Sequence, residues 1–486
     1  MGRELGVADW TYPFWLVVSR LVDTDMVQFF VAMRCLMRPM ILCLTLALFV
    51  GECHAQVQQP VFGSTSIGTT VSGPSFGGIS IDAGGVVSTP EAIRTKLDKQ
   101  RLRKSAQKNL TADMSRVSKL RKVSLVRLER ELQKALDSET QAEIGLWYLA
   151  GLTQIEYLFA DSETGDLIIA GPAEGFAPTA SGAVVGIETG RPTLVLDDLL
   201  VMLRLRTMQQ TLGCSFDPDK ARLAKAQAWY QASPAVSNAR AAKKQFQQMA
   251  SVLGNYDVRV FGLPHGSHAT FRMVDADYQM KRINLGLRRT GIRGFRSQLD
   301  MMRPDDNSMR RYWFAPRYDQ IERSADGEVY RLSGPRLQLL SQEELTDAEG
   351  NRSKAAFTEV STQAYTKQFN KHIRKLCQRV PAFAAVQNLF DMAIVVAIIQ
   401  KNGLFESADW KPTLLLDKEM LPTMEFTAPA EVPAQVNTRM AGRSAVMFQI
   451  GGGVTLVPID VVARPGRLAA DKIPELNAGS DSWWWD

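Results

Sequence analysis

Residues 155–187 read IEYLFADSETGDLIIAGPAEGFAPTASGAVVGI. Two apolar runs, 155–159 and 167–170, are joined through Glu163-Thr164-Gly165. β-branched and aromatic residues on both sides of a glycine-containing turn are the mark of a hairpin. A second pair, 183–187 and 193–196, turns at Thr189-Gly190. These runs are short, as strands are, so this stretch commits the chain to β structure.

Helical periodicity takes over on either side. Upstream, Leu125, Leu128, Leu132 and Leu136 fall on one stripe behind Ser124, an N-cap residue type. A second helix is expected from Ser138, with Gln141 completing a capping box. It would carry Ile144, Trp147 and Tyr148 and stop at Gly151. Downstream, Asp197 is placed to cap a helix over 199–208, and 214–216 is a short strand. Asp217-Pro218 is an N-cap followed by proline, opening helices near 219–230 and 238–252. A strand over 258–263 precedes a helix from about 269 to 285 that buries Phe271, Val274, Tyr278 and Leu285.

Residues 310–342 read as β, with runs at 312–314, 320–323, 329–332 and 337–340 and a hairpin turn at Asp326-Gly327. Residues 355–401 return to helix with a break at Pro381. The wholly apolar run 392–399 is far shorter than the ~20 residues a membrane span needs, so it is a core helix. Strand-like runs follow near 445–450 and 454–458. The fold class is therefore α+β: a mixed sheet with flanking helices in one main domain over 120–402. A flexible tether precedes it at 56–90, and a β-rich extension follows at 403–486.

Composition narrows the function less than the fold. The chain has 486 residues, 45% hydrophobic and 22% charged, with 35 Gly and 22 Pro. That excludes fibrous and disulfide-dense classes. The net charge, 57 − 51 = +6, is too mild to imply nucleic-acid binding. The positive charge is local: residues 91–130 hold 13 Lys or Arg against four Asp or Glu. Few aromatics interleave this stretch, so it reads as a solvated helix face, with envelope polyanions as second choice. Residues 56–90 are the reverse, with Asp82 the only charge and 17 of 35 positions Gly, Ser or Thr. Such a segment cannot bury enough apolar surface to order itself.

Export is the clearest destination. Residues 33–55 read MRCLMRPMILCLTLALFVGECHA. Arg34 and Arg38 lead an 11-residue apolar run, and Cys53 and Ala55 precede Gln56 at the small positions of a signal-peptide cleavage site. Glu52 before Cys53 argues against lipidation. Residues 1–32 then fit a translation start at Met33 or Met37. Cleavage leaves no membrane span and only two cysteines, Cys214 and Cys377, in an oxidising compartment.

No coherent catalytic set stands out. His265 and His268 form an H-x-x-H that would need Asp275 or His372 as a third metal ligand; the plainer reading is two loop histidines. Cys214 and Cys377 are either buried thiols or a disulfide. Gly171-Pro172-Ala173-Glu174-Gly175-Phe176 is the most unusual loop, presenting the Glu174 carboxylate at a strand end, and the plainer reading is a tight turn with a solvated glutamate. Asp277 and Lys281 have the four-residue spacing of a helix ion pair. Catalytic candidates are thus Glu174, Asp277 and Lys281, with Asp197 or a histidine as further partners. No cofactor is implied.

Several stretches carry a resemblance. They are Arg121-Lys122-Val123-Ser124-Leu125, Leu149-Ala150-Gly151-Leu152, Gly171-Pro172-Ala173-Glu174-Gly175, Leu196-Asp197-Asp198-Leu199, Cys214-Ser215-Phe216-Asp217-Pro218 and Ala276-Asp277-Tyr278-Gln279-Met280-Lys281. Tyr312-Trp313-Phe314 and Asn388-Leu389-Phe390-Asp391 continue the series, which spans about 120–402. In this order they resemble an uncharacterised secreted family of planctomycete bacteria, the domain of unknown function fifteen ninety-eight. The resemblance implies one exported domain and carries no activity. The family does not have a histidine pair at 265 and 268. The expectation is a non-catalytic envelope or periplasmic protein that binds an envelope polymer or protein and no nucleic acid. The alternative is a hydrolase built on Glu174.

Overall fold

Leu125, Leu128, Leu132 and Leu136 are all buried along α2 (Leu125–Asp137), and the Ser124 hydroxyl caps it by accepting from the Arg127 N–H. This computed structural model describes residues 80–81, 87–88, 96–476 and 484–486, apart from 180–181, 235, 237, 307, 347–351 and 443. The export segment 33–55, the leader 1–32 and nearly all of the tether 56–90 lie outside the described residues. Within 56–90, β1 (Ser80–Ile81) pairs with β2 (Val87–Ser88).

The basic stretch divides among three elements, the last of them the start of α2. Its first part is α1 (Lys96–Asn109), a solvated helix resting on Leu102 and Ala106. Its second part is β3 (Ser118–Ser124), in which Arg121 and Lys122 are buried, contrary to a solvated helix face. Ser138 is the C-cap of α2 rather than a new start; only one turn, α3 (Ile144–Trp147), follows before a tight turn over Leu149–Gly151.

The hairpin around Glu163-Thr164-Gly165 forms as β4 (Tyr157–Asp161) and β5 (Asp166–Ala173). Strand β5 runs three residues beyond Ala170, so Gly171, Pro172 and Ala173 are strand, not loop. After it, β6 (Phe176–Pro178) pairs with β7 (Val184–Gly186); the expected partner 193–196 forms no strand, and β7 is met instead by a bridge from Pro192 to Val185. The next helix, α4 (Leu196–Leu203), begins before Asp197, whose side chain is buried in the first turn instead of capping.

Then follow β8 (Leu212–Asp217), α5 (Lys220–Ala232), α6 (Ala239–Leu253), β9 (Asn255–Phe261) and α7 (His268–Asn284). The cap of α5 is Asp219, two residues after Asp217. All four apolar residues expected inside the last helix are buried. After α8 (Gln298–Met301) come β10 (Met309–Arg317), β11 (Ile321–Arg323), β12 (Val329–Leu332), β13 (Arg336–Thr346) and β14 (Arg352–Lys354). The helices α9 (Val360–Lys371), α10 (Ile373–Arg379) and α11 (Pro381–Asn402) follow, the last opened by Pro381 and closed by Gly403 in the left-handed region. It is long and apolar enough for a membrane span, yet its apolar window is 100% buried in protein. The remainder holds α12 (Leu404–Ser407), α13 (Thr413–Leu416), β15 (Glu431–Pro433), β16 (Val436–Ala441), β17 (Ser444–Leu456), α14 (Pro458–Val461) and β18 (Gly466–Arg467).

Two mixed sheets result, so the chain is α+β. One runs β18-β11-β12-β4-β5-β3. The other runs β14-β13-β10-β17-β8-β9-β15, with β16 also on β17. The two runs read near 445–450 and 454–458 are one strand, β17, parallel to β10 and antiparallel to β8. The β-rich segment after residue 402 therefore supplies a central strand, and Ile67–Asp486 forms one unit. Helix α7 packs on β8, β10 and β17, and α11 packs on α7. Polar side chains on α11 meet the segments just before β4 and β11 and the first residue of β13. There Asp391 accepts from the Ile155 N–H at 3.2 Å, the Tyr318 hydroxyl at 2.9 Å and Arg336 Nε at 3.3 Å.

Candidate functional site

Glu174 sits between β5 and β6 and is buried. Its carboxylate accepts from the backbone N–H of Glu188 at 2.7 Å, from that of Thr189 at 3.1 and 3.2 Å, and from the Thr189 hydroxyl. It thereby holds the turn at Thr189-Gly190. A β-carbon on Gly186 would lie 2.1 Å from the carboxylate, so only glycine allows this approach. Helix α1 covers the same turn, with Lys99 Nζ on the Glu188 carbonyl and Arg103 on the Glu188 carboxylate. The side chain read as a presented or solvated carboxylate is thus an internal acceptor. Glu174→Gln should lower the unfolding free energy by about 1–3 kcal/mol, because one acceptor becomes a donor facing N–H groups. Chemical denaturation that finds no loss would show that the turn does not depend on the carboxylate.

The two histidines are not brought together. His265 is exposed, whereas His268 is buried at the start of α7. Nδ1 of His268 lies 2.9 Å from both oxygens of Asp198, and its Nε2 accepts from Arg272 Nε at 2.9 Å. Arginine only donates, so Nε2 carries no proton and Nδ1 donates to Asp198. Both ring nitrogens are committed. Neighbouring Asp197 accepts from the Met424 N–H at 3.0 Å, and burial pushes its carboxyl up to about 6. The Phe426 ring lies 4.7 Å from the imidazole. Among the described residues, no group of three His, Cys, Asp or Glu side chains is placed to hold a metal ion. His372 caps α9, with Nδ1 near the Gln368 carbonyl, and Asp275 accepts from Gln279 inside α7.

Asp277 and Lys281 form the expected i,i+4 pair at 2.6 Å, and both side chains are 0% exposed. Lys281 Nζ also donates to the carbonyls of Phe216 and Gly452 and sits 4.1 Å over the Phe216 ring. Burial pushes the Asp277 carboxyl up to about 6, against the opposing pull of Lys281. The pair ties α7 to β8 and β17. Cys214 and Cys377 are both buried free thiols, not a disulfide. The first is enclosed in β8 beside Asp277 and Lys281, the second in α10 near Arg191. Burial raises both thiols, Cys377 to about 12, so neither forms a ready thiolate.

Sequence reasoning missed an open site where charged and aromatic groups from distant parts of the chain converge. A cavity of about 880 Å³ lies beside β3, lined by Arg116, Lys119, Arg121, Glu143, Trp484 and Trp485 among others. The segment 484–486 docks along the edge of β3. Ser124 N–H donates to the Trp484 carbonyl at 2.9 Å, and Asp486 N–H donates to the Lys122 carbonyl at 3.1 Å. The Asp486 carboxylate accepts from Lys122 through both its N–H and Nζ at 2.8 Å. The Arg121 guanidinium stacks on the Trp485 ring at 4.9 Å. The available signals were the charge density over 91–130 and the Trp483-Trp484-Trp485-Asp486 run, but nothing local joins them.

Residues 214–297 match the family described as Protein of unknown function (DUF1598), a stretch running from β8 through α7 to Ser297. It contains the Asp277–Lys281 pair, His268 and Cys214 but not the groove beside β3. No curated protein matches the chain, and no solved structure matches it.

Proposed function

We propose that this is an exported, non-catalytic binding protein of the cell envelope that recognises its partner in the groove between β3 and residues 484–486. The observation carrying this reading is the groove itself, where cationic and tryptophan side chains from two ends of the domain line about 880 Å³ of open space. The groups that chemistry would need elsewhere are enclosed. Glu174 is occupied by backbone donors, Asp277 and Lys281 are sealed, the thiols are buried, and both nitrogens of His268 are taken. A hydrolase built on Glu174 would first have to break the turn that Glu174 holds. The signal-peptide layout of residues 33–55 and the resemblance to a secreted planctomycete family support export.

Co-sedimentation of the purified protein with isolated envelope polymer tests the binding role. The wild-type protein should be retained, and Lys119→Glu should lose at least about tenfold in retention with an unchanged melting temperature, since Lys119 is exposed. Equal retention of both proteins, or of neither, would remove the groove from the reading.

A further inference from the structure

We infer that the helical hairpin of α5 and α6 docks on an anionic phospholipid surface, through Arg240, Lys243 and Lys244 with Tyr230 beside them. Residues 220–254 hold six Lys or Arg and no Asp or Glu. The chain as a whole is nearly balanced, at 57 against 51, so this stretch is set apart. Arg240, Lys243 and Lys244 are exposed, and among the described residues no carboxylate pairs with them. Positions three and four apart are neighbours on a helix surface, so the three cations share one side of α6. Ala242, Gln245, Phe246, Met249 and Leu253 form its other side and are buried where α6 packs on α5 and β16.

The nearest carboxylate in sequence, Asp219, caps α5 at the opposite end of the hairpin. There Arg222 donates to the Asn255 carbonyl just beyond α6, so α5 starts where α6 finishes. At the Arg240 end, Gln245 Nε2 donates to the Pro234 carbonyl at 2.9 Å, and the Tyr230 ring stacks on Phe246 at 6.5 Å. Phe246 follows Lys243 by three residues, so Tyr230, which is 46% exposed, borders the cationic stripe. The placement of these cations opposes helix stability. A helix N-terminus carries positive partial charge, so acidic side chains stabilise its first turn and basic ones do not. Arg240 nevertheless stands in the first turn of α6 and Lys243 and Lys244 in the next, with no acidic residue in the first turn to offset them. A face kept only for solvation would gain from acids there, whereas an external anion explains cations.

A lipid surface matches both features of this face. It offers phosphate groups in one plane, which attract Lys and Arg side chains near the surface, with an apolar boundary just beneath. A tyrosine ring suits that boundary, because its body is apolar and its hydroxyl remains in the wet layer. The stripe runs along the outer side of a helix rather than through a channel. Proteins that hold single-stranded nucleic acid instead track its backbone along a basic groove. Arg240, Lys243, Lys244 and Tyr230 do not line the cavity beside β3, so this face is separate from the groove proposed above.

Vesicle sedimentation decides this, using the chain from Gln56 onward, which keeps the whole unit Ile67–Asp486 and leaves out the apolar run before it. The probes are vesicles of equal parts phosphatidylglycerol and phosphatidylcholine, vesicles of phosphatidylcholine alone, and a labelled oligothymidylate read by anisotropy. The mixed vesicles should bind at least about tenfold more tightly than the neutral ones, and the binding should weaken as salt rises. Arg240→Glu, Lys243→Glu and Lys244→Glu together should weaken it at least about tenfold. The melting temperature of that variant should equal or exceed the wild-type value, since acids suit the start of α6. The same number of reversals at exposed positions of α1, Arg101→Glu, Lys104→Glu and Lys108→Glu, should weaken binding less than about threefold. Equal binding to neutral vesicles overturns the charge requirement, and equal losses from the two triple variants overturn the hairpin as the site. Oligothymidylate bound as tightly as the mixed vesicles, or no binding to those vesicles, overturns lipid as the partner.

Discussion

Lys281→Met should lower the unfolding free energy by about 3–5 kcal/mol at pH 8, the loss expected when one partner of a buried ion pair is removed. Asp277 would then be left in a site where its Oδ1 already has no partner and its Oδ2 has lost Lys281. The loss should depend on pH, and its sign follows from the shift. Burial holds the folded-state pKa of Asp277 at about 6, above the ordinary 3.8, and Lys281 is the main group restraining it. A raised carboxyl pKa gives stability that is fully present below about 3.8 and is lost as pH rises through the folded value. Without Lys281 the folded value climbs further. The penalty should therefore shrink toward pH 4 and grow above pH 6. The double variant Asp277→Leu with Lys281→Met removes both charges and should recover wild-type stability or exceed it. Urea titrations at pH 5 and pH 8 measure this. A single variant that is stable at pH 8, or whose loss is the same at both pH values, would show that the pair is not what holds α7 to the sheet.

Gly452→Ala should be more severe, costing more than about 4 kcal/mol or abolishing soluble expression. Gly452 lies in β17 between β10 and β8 with φ of 120°, and an added β-carbon would stand 1.7 Å from the Tyr312 carbonyl oxygen. That oxygen belongs to a neighbouring strand, so the collision cannot be relieved by turning a side chain. The next residue is equally tight, since a β-carbon on Gly453 would stand 1.8 Å from the Cys214 carbonyl oxygen. Gly442→Ala is the control. It has φ of 66° but nothing within 4 Å of the added carbon, so it should lose only the ~1–2 kcal/mol of left-handed backbone. Comparable melting temperatures for the two variants would mean that conformational strain, not strand contact, sets the effect at 452.

Elements whose evidence is local were legible in the residues. The leucine stripe behind Ser124 made α2, the Asp326-Gly327 turn joined β11 to β12, and Pro381 opened the buried helix α11. Periodicity and turn chemistry act over a few residues, so the chain itself states them. The α+β class followed from the same local signals.

What the sequence left open was which distant partners each element and charge would meet. The runs near 445–458 showed strand character, but only pairing with β10 and β8 put β17 in the middle of the sheet. Glu174 read more plainly as a solvated carboxylate than as a presented one, and neither reading foresaw the backbone N–H groups of Glu188 and Thr189 folded onto it. Lys122 stood in a basic run that looked solvated, and its partner Asp486 is 364 positions away. A buried charge is tolerated only where its hydrogen-bonding partners are supplied. For Glu174, Lys122 and Arg121 those partners come from other strands and turns, so tertiary contact decided which charged residues became structure and which were left facing the groove.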